Sequence, residues 1–240
     1  MQSLQDKVAF ITGGSKGIGY GIAEALVQAG MRVAVTSRSE ANAKGAASQL
    51  SQAGPGEALG VAADVRDLAS QQQAVKQTLD RWGQLDLVVA NAGLGHFGSI
   101  EDLTPEQWHE VIDTNLTGVF YTIKAAVEGL KASQGYFITI SSLAGTNFFA
   151  GGAAYNASKF GLTGFTQAVM LDLRQYGIRT STIMPGSVAT HFAGHQPDPE
   201  KDGWKIQIED LGQMVADLMR INPRTLPSKL EVRPSMPPKR

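Results

Sequence analysis

Short runs of apolar residues alternate along this chain with longer segments in which apolar side chains recur every three or four positions. Continuous apolar runs are typical of strands buried on both faces, and the longer period is that of amphipathic helices. Their alternation predicts a doubly wound α/β fold: a parallel sheet of about seven strands with helices on both faces and ligands at the carboxyl ends of the strands. The predicted strands are Val8–Thr12, Val33–Thr36, Leu59–Ala63, Leu85–Ala90, Tyr136–Ile140 and Arg179–Met184. The predicted helices are the segment after Lys16, Ala41–Gln52, Asp67–Trp82, Pro105–Lys131, Ala153–Tyr176 and Asp210–Met219.

Length and composition limit what such a fold can do. The 240 residues, 42% of them hydrophobic, suit a single domain over 1–240. A net charge of −1 predicts no binding to nucleic acid or membrane, and the lack of cysteine excludes disulfides, thiolate metal sites and a cysteine nucleophile. The N-terminus lacks the layout of a secretory signal, and no apolar run approaches the ~20 residues that span a bilayer, so we expect a cytoplasmic protein.

The segment from about residue 222 is rich in proline and basic residues. Five of the ten prolines lie between Pro223 and Pro238, and Arg220–Arg240 holds six basic residues against one acid. Proline is tolerated beside an edge strand, so Leu230–Val232 is predicted to close the sheet. The remainder is interpreted as a solvated terminus, with contact to an acidic partner as the alternative.

A glycine-rich turn follows the first predicted strand and opens a helix. Gly13, Gly17 and Gly19 let the backbone bend sharply and approach a pyrophosphate, which would meet the positive end of that helix. The spacing Gly-x-x-x-Gly-x-Gly is longer than the common dinucleotide fingerprint, and a purely structural turn is the alternative. The location at the end of the first strand favours phosphate binding.

The residues after the second predicted strand bear on the choice of dinucleotide. An acid there would hydrogen-bond the adenosine ribose and repel a 2′-phosphate, but the chain has Thr36, Ser37 and Arg38 instead. The planar guanidinium of Arg38 can pair with a phosphate, and Lys16 adds a second cation from the turn. We therefore predict NADP(H) rather than NAD(H), the alternative being that Arg38 is an ordinary surface charge.

Tyr155 and Lys159 lie four residues apart in a predicted helix, so their side chains share one face. Tyrosine ionises near pH ~10 and shuttles protons poorly at neutral pH unless a neighbouring cation stabilises the phenolate, which Lys159 is placed to do. Such a pair is common on helix surfaces, and what distinguishes this one is the polar groups predicted at the same edge of the sheet. These groups are Ser142 after the fifth strand, Asn91-Ala92-Gly93 after the fourth, Asn115 in the following helix, and Pro185-Gly186 after the sixth.

Together these motifs resemble those of the short-chain dehydrogenase/reductase family, and the match runs from about Val8 to Thr190. The shared motifs are Thr-Gly-x-x-x-Gly-Ile-Gly, Asn-Ala-Gly, a serine thirteen residues before the tyrosine, Tyr-x-x-x-Lys and Pro-Gly-x-Val-x-Thr. The resemblance implies a Rossmann-type fold and extends to the 3-oxoacyl-(acyl-carrier-protein) reductases. The end of this chain lacks the Gly-Gly strand motif that those reductases often carry.

The resemblance also implies roles for individual residues. Tyr155 would exchange a proton with the substrate oxygen, and Lys159 would lower its pKa and hold the nicotinamide ribose. Ser142 would position the carbonyl, and Asn115 would anchor a water relay through Lys159. Asp64 would contact the adenine, while Val188 and Thr190 would hold the carboxamide. The full set implied to bind the cofactor is Gly13, Ser15, Lys16, Gly17, Ile18, Gly19, Ser37, Arg38, Asp64, Val65, Asn91, Ala92, Gly93, Tyr155, Lys159, Pro185, Gly186, Val188 and Thr190.

Substrate identity is expected to depend on three loops, one after Gly93, one from Leu143 to Gly152 and one after Gly186. Their aromatic residues indicate a partly apolar pocket, with packing against the core as an equal alternative. His191 and His195 have a spacing that can bind metal on a helix, but they lie in a Gly/Pro loop, so no metal site is predicted and the loop is interpreted as a polar lid. The ring-bearing side chains in the three loops also include His96, Phe97, Phe148, Phe149, Phe192 and Trp204.

In the predicted helix Ala153–Tyr176, the part Ala153–Leu173 has apolar residues on nearly all of its sides, whereas a helix on one face of a sheet needs only one apolar stripe. We therefore expect a homodimer or homotetramer. The leading functional hypothesis is an NADPH-dependent reductase of a small or medium ketone or a 3-oxoacyl thioester, which could be bound to a carrier. A sugar, polyol or other secondary-alcohol dehydrogenase is the first alternative. A non-catalytic module that senses NADP(H) is the second.

Overall fold

Seven parallel strands form one sheet in the computed structural model, which describes residues 2–236. Their order is β3-β2-β1-β4-β5-β6-β7, so the chain winds outward from β1 in one direction and returns to wind outward from β4 in the other. The predicted doubly wound α/β fold is confirmed. The strands are β1 Val8–Ile11, β2 Arg32–Ser37, β3 Glu57–Ala62, β4 Leu87–Ala90, β5 Tyr136–Ile140, β6 Arg179–Pro185 and β7 Lys229–Val232.

Helices cover both faces of the sheet because successive strand residues point to opposite sides. In β1, Ile11 joins the apolar cluster beneath one helical layer and its neighbour Phe10 joins the cluster beneath the other, both fully buried. The helices are α1 Gly17–Gln28, α2 Glu40–Leu50, α3 Leu68–Trp82, α4 Pro105–Ile112, α5 Gly118–Ser133, α6 Ala153–Leu173, α7 Pro199–Asp202 and α8 Ile208–Arg220. No helix within residues 2–236 has the length and apolar character needed to cross a membrane.

The prediction of one continuous helix over Pro105–Lys131 is wrong, because the helix is interrupted near its middle. A wider π-helical turn, Asp113–Thr117, separates α4 from α5. A π turn leaves backbone groups out of the regular hydrogen-bond ladder and is often found at functional sites. Here it contains Asn115, which is fully buried and hydrogen-bonded to a neighbouring loop. The periodicity of apolar residues continues through both helices and carries no signal of this insertion.

Other predicted boundaries move by a few residues for local reasons. The predicted helix Ala153–Tyr176 is α-helical only to Leu173, after which a 3-10 turn leads to Gly177 at φ +77°. Asp67 lies outside α3 and caps it by accepting a hydrogen bond from the Ala69 N–H at 2.9 Å. Short polar side chains at this position commonly satisfy the free N–H groups of a first turn.

The C-terminal segment is half-buried or exposed throughout residues 221–236, and parts of it are held against the sheet. β7 pairs in parallel with β6, which confirms the predicted closing strand. Before β7, the Ser181 hydroxyl donates to the Pro227 carbonyl at 2.6 Å, and the Gln167 amide donates to the Ser228 carbonyl at 3.1 Å. The last part of the predicted basic tail, residues 237–240, lies outside the described residues.

Candidate active site

The winding direction reverses between β1 and β4, and the carboxyl ends of these neighbouring strands are tied together by side chains. The Thr12 hydroxyl accepts hydrogen bonds from the N–H groups of Asn91 and Ala92 at 3.1 and 3.2 Å. The Asn91 amide donates in return to the carbonyls of Thr12 and Gly13 at 2.9 and 3.1 Å. The glycine turn is therefore held from the neighbouring strand before any ligand is considered.

The glycines of the turn are required by its shape. Gly13 and Gly17 have φ values of +65° and +59°, a region that side-chain-bearing residues rarely adopt. Gly19 has an ordinary φ, but a Cβ there would lie 2.5 Å from the Asn91 amide nitrogen and 2.7 Å from the Gly13 carbonyl. The close approach of helix α1 to the turn thus depends on Gly19.

A cleft of about 660 Å³ runs along the carboxyl ends of the strands and contains nearly every predicted site residue. Two predicted residues, Gly19 and Asn115, are buried behind its wall. The predicted residues that line the cleft are Gly13, Ser15, Lys16, Gly17, Ile18, Ser37, Arg38, Asp64, Val65, Asn91, Ala92, Gly93, Ser142, Tyr155, Lys159, Pro185, Gly186, Val188 and Thr190.

Ser142, Tyr155 and Lys159 meet at one end of this cleft. Ser142 follows β5, and its hydroxyl accepts a hydrogen bond from the Ala144 N–H at 3.1 Å. Lys159 is buried and donates from its ammonium nitrogen to the Ile140 carbonyl at 2.9 Å. The same nitrogen lies 5.7 Å from the centre of the Tyr155 ring, as expected for two residues one helical turn apart.

The electrostatics of this centre differ from the sequence-based expectation. Burial raises the pKa of Tyr155 above its ordinary value, and the neighbouring Ser142 hydroxyl acts in the opposite direction. Burial also lowers the pKa of Lys159 to about 8, because a charged amine is disfavoured away from water. In the protein alone, burial therefore acts on the pKa of Tyr155 in the direction opposite to the one predicted for Lys159, and the effect of Lys159 during the reaction stays a prediction.

Asn115 supports the site from behind. Its amide donates to the Leu94 carbonyl at 2.8 Å and to the Ser158 hydroxyl at 3.1 Å, and its oxygen accepts from the Leu94 N–H at 2.9 Å. A Cβ on Gly93 would lie 3.2 Å from this oxygen and 3.7 Å from the Lys159 nitrogen. Asn115 thus braces the loop after β4 where that loop passes Lys159.

Charged residues surround the other end of the cleft. Arg66 binds the Asp64 carboxylate through two nitrogens, Nε at 3.0 Å and Nη2 at 2.6 Å, and this lowers the pKa of Asp64. His96 is 2.8 Å from the Glu110 carboxylate. Arg38 lowers the pKa of both acids from a distance but forms no ion pair within residues 2–236. It is a cation without a fixed partner in the described part of the chain.

A second hollow of about 640 Å³ continues past Arg38. Two cations and three hydroxyl groups face it, which is a suitable set for a phosphate. The polar residues among those lining it are Ser15, Lys16, Ser37, Arg38, Ser39, Asn42 and Gln49.

The loops around the acid–base end carry the aromatic residues noted in the sequence. Phe97 and Phe192 come from different loops, and their ring centres lie 5.4 and 5.6 Å from that of Tyr155. Phe149 lies 6.0 Å from Phe97, while Phe148 is 86% exposed. Three of the four predicted phenylalanines therefore cluster at the rim of the site.

The segment interpreted as a polar lid is held in place by contacts of one buried carboxylate. His195 lies 2.6 Å from the buried carboxylate of Asp202, which also binds Lys205 at 2.7 Å. These contacts lower the pKa of Asp202. His191 and His195 flank a 3-10 turn instead of sharing a helix face. Within residues 2–236, no three histidine or acidic side chains come together as a metal-binding group.

Several residues that shape the site were not singled out in the sequence. Thr12 and Ser158 hold Asn91 and Asn115, and Arg66 neutralises Asp64. Asn156 donates to the carbonyls of Ala144 and Asn147 at 2.8 and 2.9 Å, which pins the loop that follows Ser142. Ser158 lies inside the Tyr-x-x-x-Lys motif and Thr12 heads the glycine turn, so proximity to those motifs was the available signal. Arg66 and Asn156 carried none.

Known proteins resemble this chain in sequence and in fold. The family model described as short chain dehydrogenase matches residues 7–201. The 3-oxoacyl-(acyl-carrier-protein) reductase of Vibrio cholerae serotype O1 is 33% identical over 207 residues, covering 86% of this chain and 83% of that protein. An alcohol dehydrogenase from the archaeon Thermococcus sibiricus, solved with 5-hydroxy-NADP, has a TM-score of 0.91 at 31% identity, covering 98% of this chain and 100% of that one. A 3-ketoacyl-(acyl-carrier-protein) reductase from Brucella melitensis, solved with NADH, has a TM-score of 0.88 at 26% identity, covering 97% and 99%.

Proposed function

The chain belongs to the short-chain dehydrogenase/reductase family of oxidoreductases, and we propose that it uses NADPH to reduce a carbonyl compound to an alcohol. One observation carries the proposal: a single cleft joins the glycine turn to Ser142, Tyr155 and Lys159. The names of the similar proteins favour a small or medium ketone or a 3-oxoacyl thioester as substrate.

The residues of the cleft fit a dinucleotide. A Cβ on Gly17 would project toward Thr190, 3.6 Å from its Cγ2, so glycine keeps this part of the cleft open. Lys16, which precedes α1, makes no side-chain capping bond among the residues described, so the first N–H groups of the helix are left for phosphate oxygens. Asn91 to Gly93 and Val188 to Thr190 would line the nicotinamide half, and Lys159 would hold its ribose.

The acid–base chemistry belongs to Ser142, Tyr155 and Lys159. Reduced nicotinamide, when bound, supplies the hydride that the carbonyl carbon accepts. The Ser142 hydroxyl donates a hydrogen bond to the carbonyl oxygen, and the Tyr155 hydroxyl gives that oxygen its proton as negative charge develops. Lys159, when protonated, places positive charge beside the phenolate that remains. Asn115 keeps the loop after β4 in register with these groups.

Reduction is the proposed direction because the proposed cofactor is NADPH, and NADP(H) usually serves reduction. Burial raises the pKa of the Tyr155 hydroxyl, so the residue carries the proton that the reduced oxygen needs. The proposed cofactor therefore favours the reductase over a sugar or secondary-alcohol dehydrogenase.

NADPH is favoured over NADH by the charges beside the second hollow. Arg38 lowers the pKa of two acids, and each of these acids is paired with another residue: Asp64 with Arg66, and Glu110 with His96. Arg38 is therefore free to pair with the 2′-phosphate, with Lys16 and Ser37 on the same hollow. Arg66, which the sequence had not suggested, supports this choice by masking the acid that would repel a phosphate.

The test is NADPH consumption by the wild-type protein and Tyr155→Phe against acetoacetyl thioesters, diketones, quinones and ketoses. Removing the proton donor should lower kcat by at least ~10²-fold, because general acid catalysis contributes about 10²–10⁴-fold, and should change the Kd for NADPH far less than kcat. Tyr176→Phe, a change at an exposed tyrosine beside Lys131, is the matched control and should keep full turnover. Full turnover by Tyr155→Phe would reject the assigned role. Tight NADPH binding without turnover of any carbonyl would favour a sensor.

The choice of cofactor is tested by Arg38→Asp. Loss of a charge-assisted bond worth about 2 kcal/mol should raise the Kd for NADPH about 30-fold and change that for NADH little, as titration of cofactor fluorescence would show. Arg81→Asp, which makes the same charge change at the exposed end of α3, is the control. An unchanged Kd for NADPH would overturn the preference.

Self-association is proposed through the α5–α6 face. Phe120 and Phe160 are 42% and 43% exposed there, Leu171 is 54% exposed, and Phe120 and Phe165 stack edge to face at 6.4 Å. Apolar residues exposed together on neighbouring helices are typical of an interface between subunits. Sedimentation velocity over micromolar concentrations should show a dimer or tetramer, and a monomer throughout would reject the proposal.

A further inference from the structure

We propose that Phe97, Phe192 and Phe149 form an aromatic clamp that selects substrates with an aryl ring joined directly to the carbonyl carbon. The inference deepens the proposed reductase and rests on it, because the clamp surrounds the side chain that would deliver the proton.

The clamp is built by loops that approach Tyr155 from two sides. Phe97 lies in the loop after β4, and Phe192 lies in the loop after β6. Their ring centres are 6.3 Å apart, and with Tyr155 they form a triangle whose other sides measure 5.4 and 5.6 Å. Phe97 meets Tyr155 and Phe192 edge to face at 67° and 63°, a geometry favoured between aromatic groups, and Tyr155 and Phe192 are tilted at 55°. Phe149, in the loop between β5 and α6, extends the surface from Phe97.

Gly95 makes room for this arrangement. A Cβ there would lie 2.8 Å from the Phe97 ring and 3.1 Å from the Phe192 ring. A larger residue would push both rings away from the backbone of the loop. The two rings therefore approach each other over a glycine, at the entrance to the acid–base centre.

The clamp is incompletely buried although it is strongly apolar. Phe97 and Phe149 are each 48% exposed and Phe192 is 37% exposed, whereas the phenylalanines of the sheet, Phe10 and Phe137, are fully buried. Core packing therefore does not account for these three rings. Apolar surface concentrated at the mouth of a polar cleft is typical of a binding site for an apolar group.

The shape of the clamp indicates a flat group close to the reacting carbon. An aryl ring on the carbonyl would lie beside Tyr155 when its oxygen meets the Tyr155 and Ser142 hydroxyls. The aryl ring would then lie between Phe97 and Phe192. Their contact with each other would be replaced by one contact of each with the substrate ring. An alkyl chain of similar volume would gain the apolar contact without the preferred ring geometry. We therefore place aryl ketones and aryl aldehydes above aliphatic ketones and acyl thioesters.

The experiment compares matched substrates that differ only in the ring. Ethyl benzoylformate and its cyclohexyl analogue present the same carbonyl and ester, and acetoacetyl-N-acetylcysteamine represents the thioesters. In the wild-type protein we expect kcat/KM for the aryl compound to exceed that for the cyclohexyl compound about tenfold, the effect of two aromatic contacts. In Phe97→Leu/Phe192→Leu the ratio should fall to near one, mainly through KM for the aryl compound. Phe148→Leu, in the same loop as Phe149 but outside the clamp, should keep the wild-type ratio.

The possible outcomes separate this inference from the proposed function. Turnover of ketones or thioesters without an aryl preference, or a preference unchanged in the double variant, would overturn the clamp and leave the reductase standing. Absence of turnover with every carbonyl would reject the reductase. In that case, calorimetric titration of the two esters into the NADP⁺-saturated protein decides the clamp: tighter aryl binding that Phe97→Leu/Phe192→Leu abolishes would support it, and equal affinity would overturn it.

Discussion

The two ends of the cleft are built in opposite ways. At the cofactor end, the turn after β1 is tied to β4 through the Thr12 hydroxyl and the Asn91 amide, and there is no room for a methyl group at Gly19. At the substrate end, Phe97 and Phe192 reach over Tyr155 from long loops and remain partly exposed. Polar bonds between neighbouring strands fix the first region, and contacts between loop rings shape the second.

This difference predicts that the two regions tolerate amino-acid changes to different extents. The cofactor end and the acid–base centre depend on backbone positions at the edge of the sheet, which tolerate little change. The aromatic rim depends on side chains in loops, which can change without disturbing the sheet. We therefore expect changes at the first region to alter stability and binding of cofactor together, and changes at the second to alter the choice of substrate.

The largest effect on stability is expected for Gly19→Ala. The added methyl group would meet the Gly13 carbonyl at 2.7 Å, and this backbone atom cannot move without opening the turn. Overpacking of this kind costs about 1–3 kcal/mol, and we expect about 3 kcal/mol in urea unfolding together with weaker NADPH binding. Gly45→Ala, in α2, is the control, because a Cβ there would meet no heavy atom of residues 2–236 within 4 Å apart from its chain neighbours and the backbone of its own helix. It should stabilise the protein by up to about 1 kcal/mol through helix propensity. If Gly19→Ala had the same stability and the same Kd for NADPH as the wild-type protein, the description of the cofactor end as tightly fixed would be wrong.

A smaller effect, of opposite sign, is expected for Lys159→Met. Because the pKa of Lys159 is lowered to about 8 from 10.5, its protonated form costs the folded state about 3 kcal/mol. That cost is complete below pH 8, shrinks as the pH rises to 10.5, and is absent above it. Loss of the hydrogen bond to the Ile140 carbonyl offsets about 1 kcal/mol. The variant should therefore be more stable by about 2 kcal/mol at pH 7.

Unfolding experiments at several pH values would check this prediction for Lys159→Met. The gain should disappear between pH 8 and 10.5, while carbonyl reduction is lost at every pH. Lys76→Met, which removes an exposed cation paired with Asp80 on α3, should show no such pH dependence. Lys159→Met and the wild-type protein could instead be equally stable across this range. In that case, burial of the protonated Lys159 amine would not lower the free energy of unfolding.

The contrast between the regions also explains what could be predicted from sequence. Apolar runs such as Val8–Ile11 report burial on both faces of the sheet, so the strands and their parallel arrangement were predictable. The ends of these strands place Asn91, Ser142 and Pro185 at one edge for the same reason. The π turn around Asn115 was not predictable, because Asn115 is hydrogen-bonded to Leu94 in a separate loop, a contact that the local sequence pattern does not contain.

Long-range contacts limited the prediction of the site as well. Glycine spacing and the Tyr-x-x-x-Lys pair are local patterns, and the structure places them in one cleft. The direction of the Tyr155 pKa could not be read from that pair, because burial, a property of the whole fold, outweighs the neighbouring groups. In the sequence, the phenylalanines of the aromatic rim are far apart. Phe97 and Phe192 become neighbours only because the strands that precede their loops end at the same edge of the sheet.

The smallest effect is expected for Gly98→Ala, in the loop of the aromatic rim next to Phe97. Apart from Gly98 itself and its two chain neighbours, no heavy atom within residues 2–236 lies within 4 Å of a Cβ at this position, and the φ of Gly98 is not in the left-handed region. Alanine restricts the unfolded chain where the folded chain accepts it, so the variant should gain about 0.5 kcal/mol in urea unfolding. Its Kd for NADPH should equal that of the wild-type protein, because Gly98 is far in sequence from the glycine turn and does not line the cleft. The same glycine-to-alanine change thus has opposite effects at Gly19 and Gly98, and a loss of stability at Gly98 comparable to that at Gly19 would show that the rim is as tightly packed as the cofactor end.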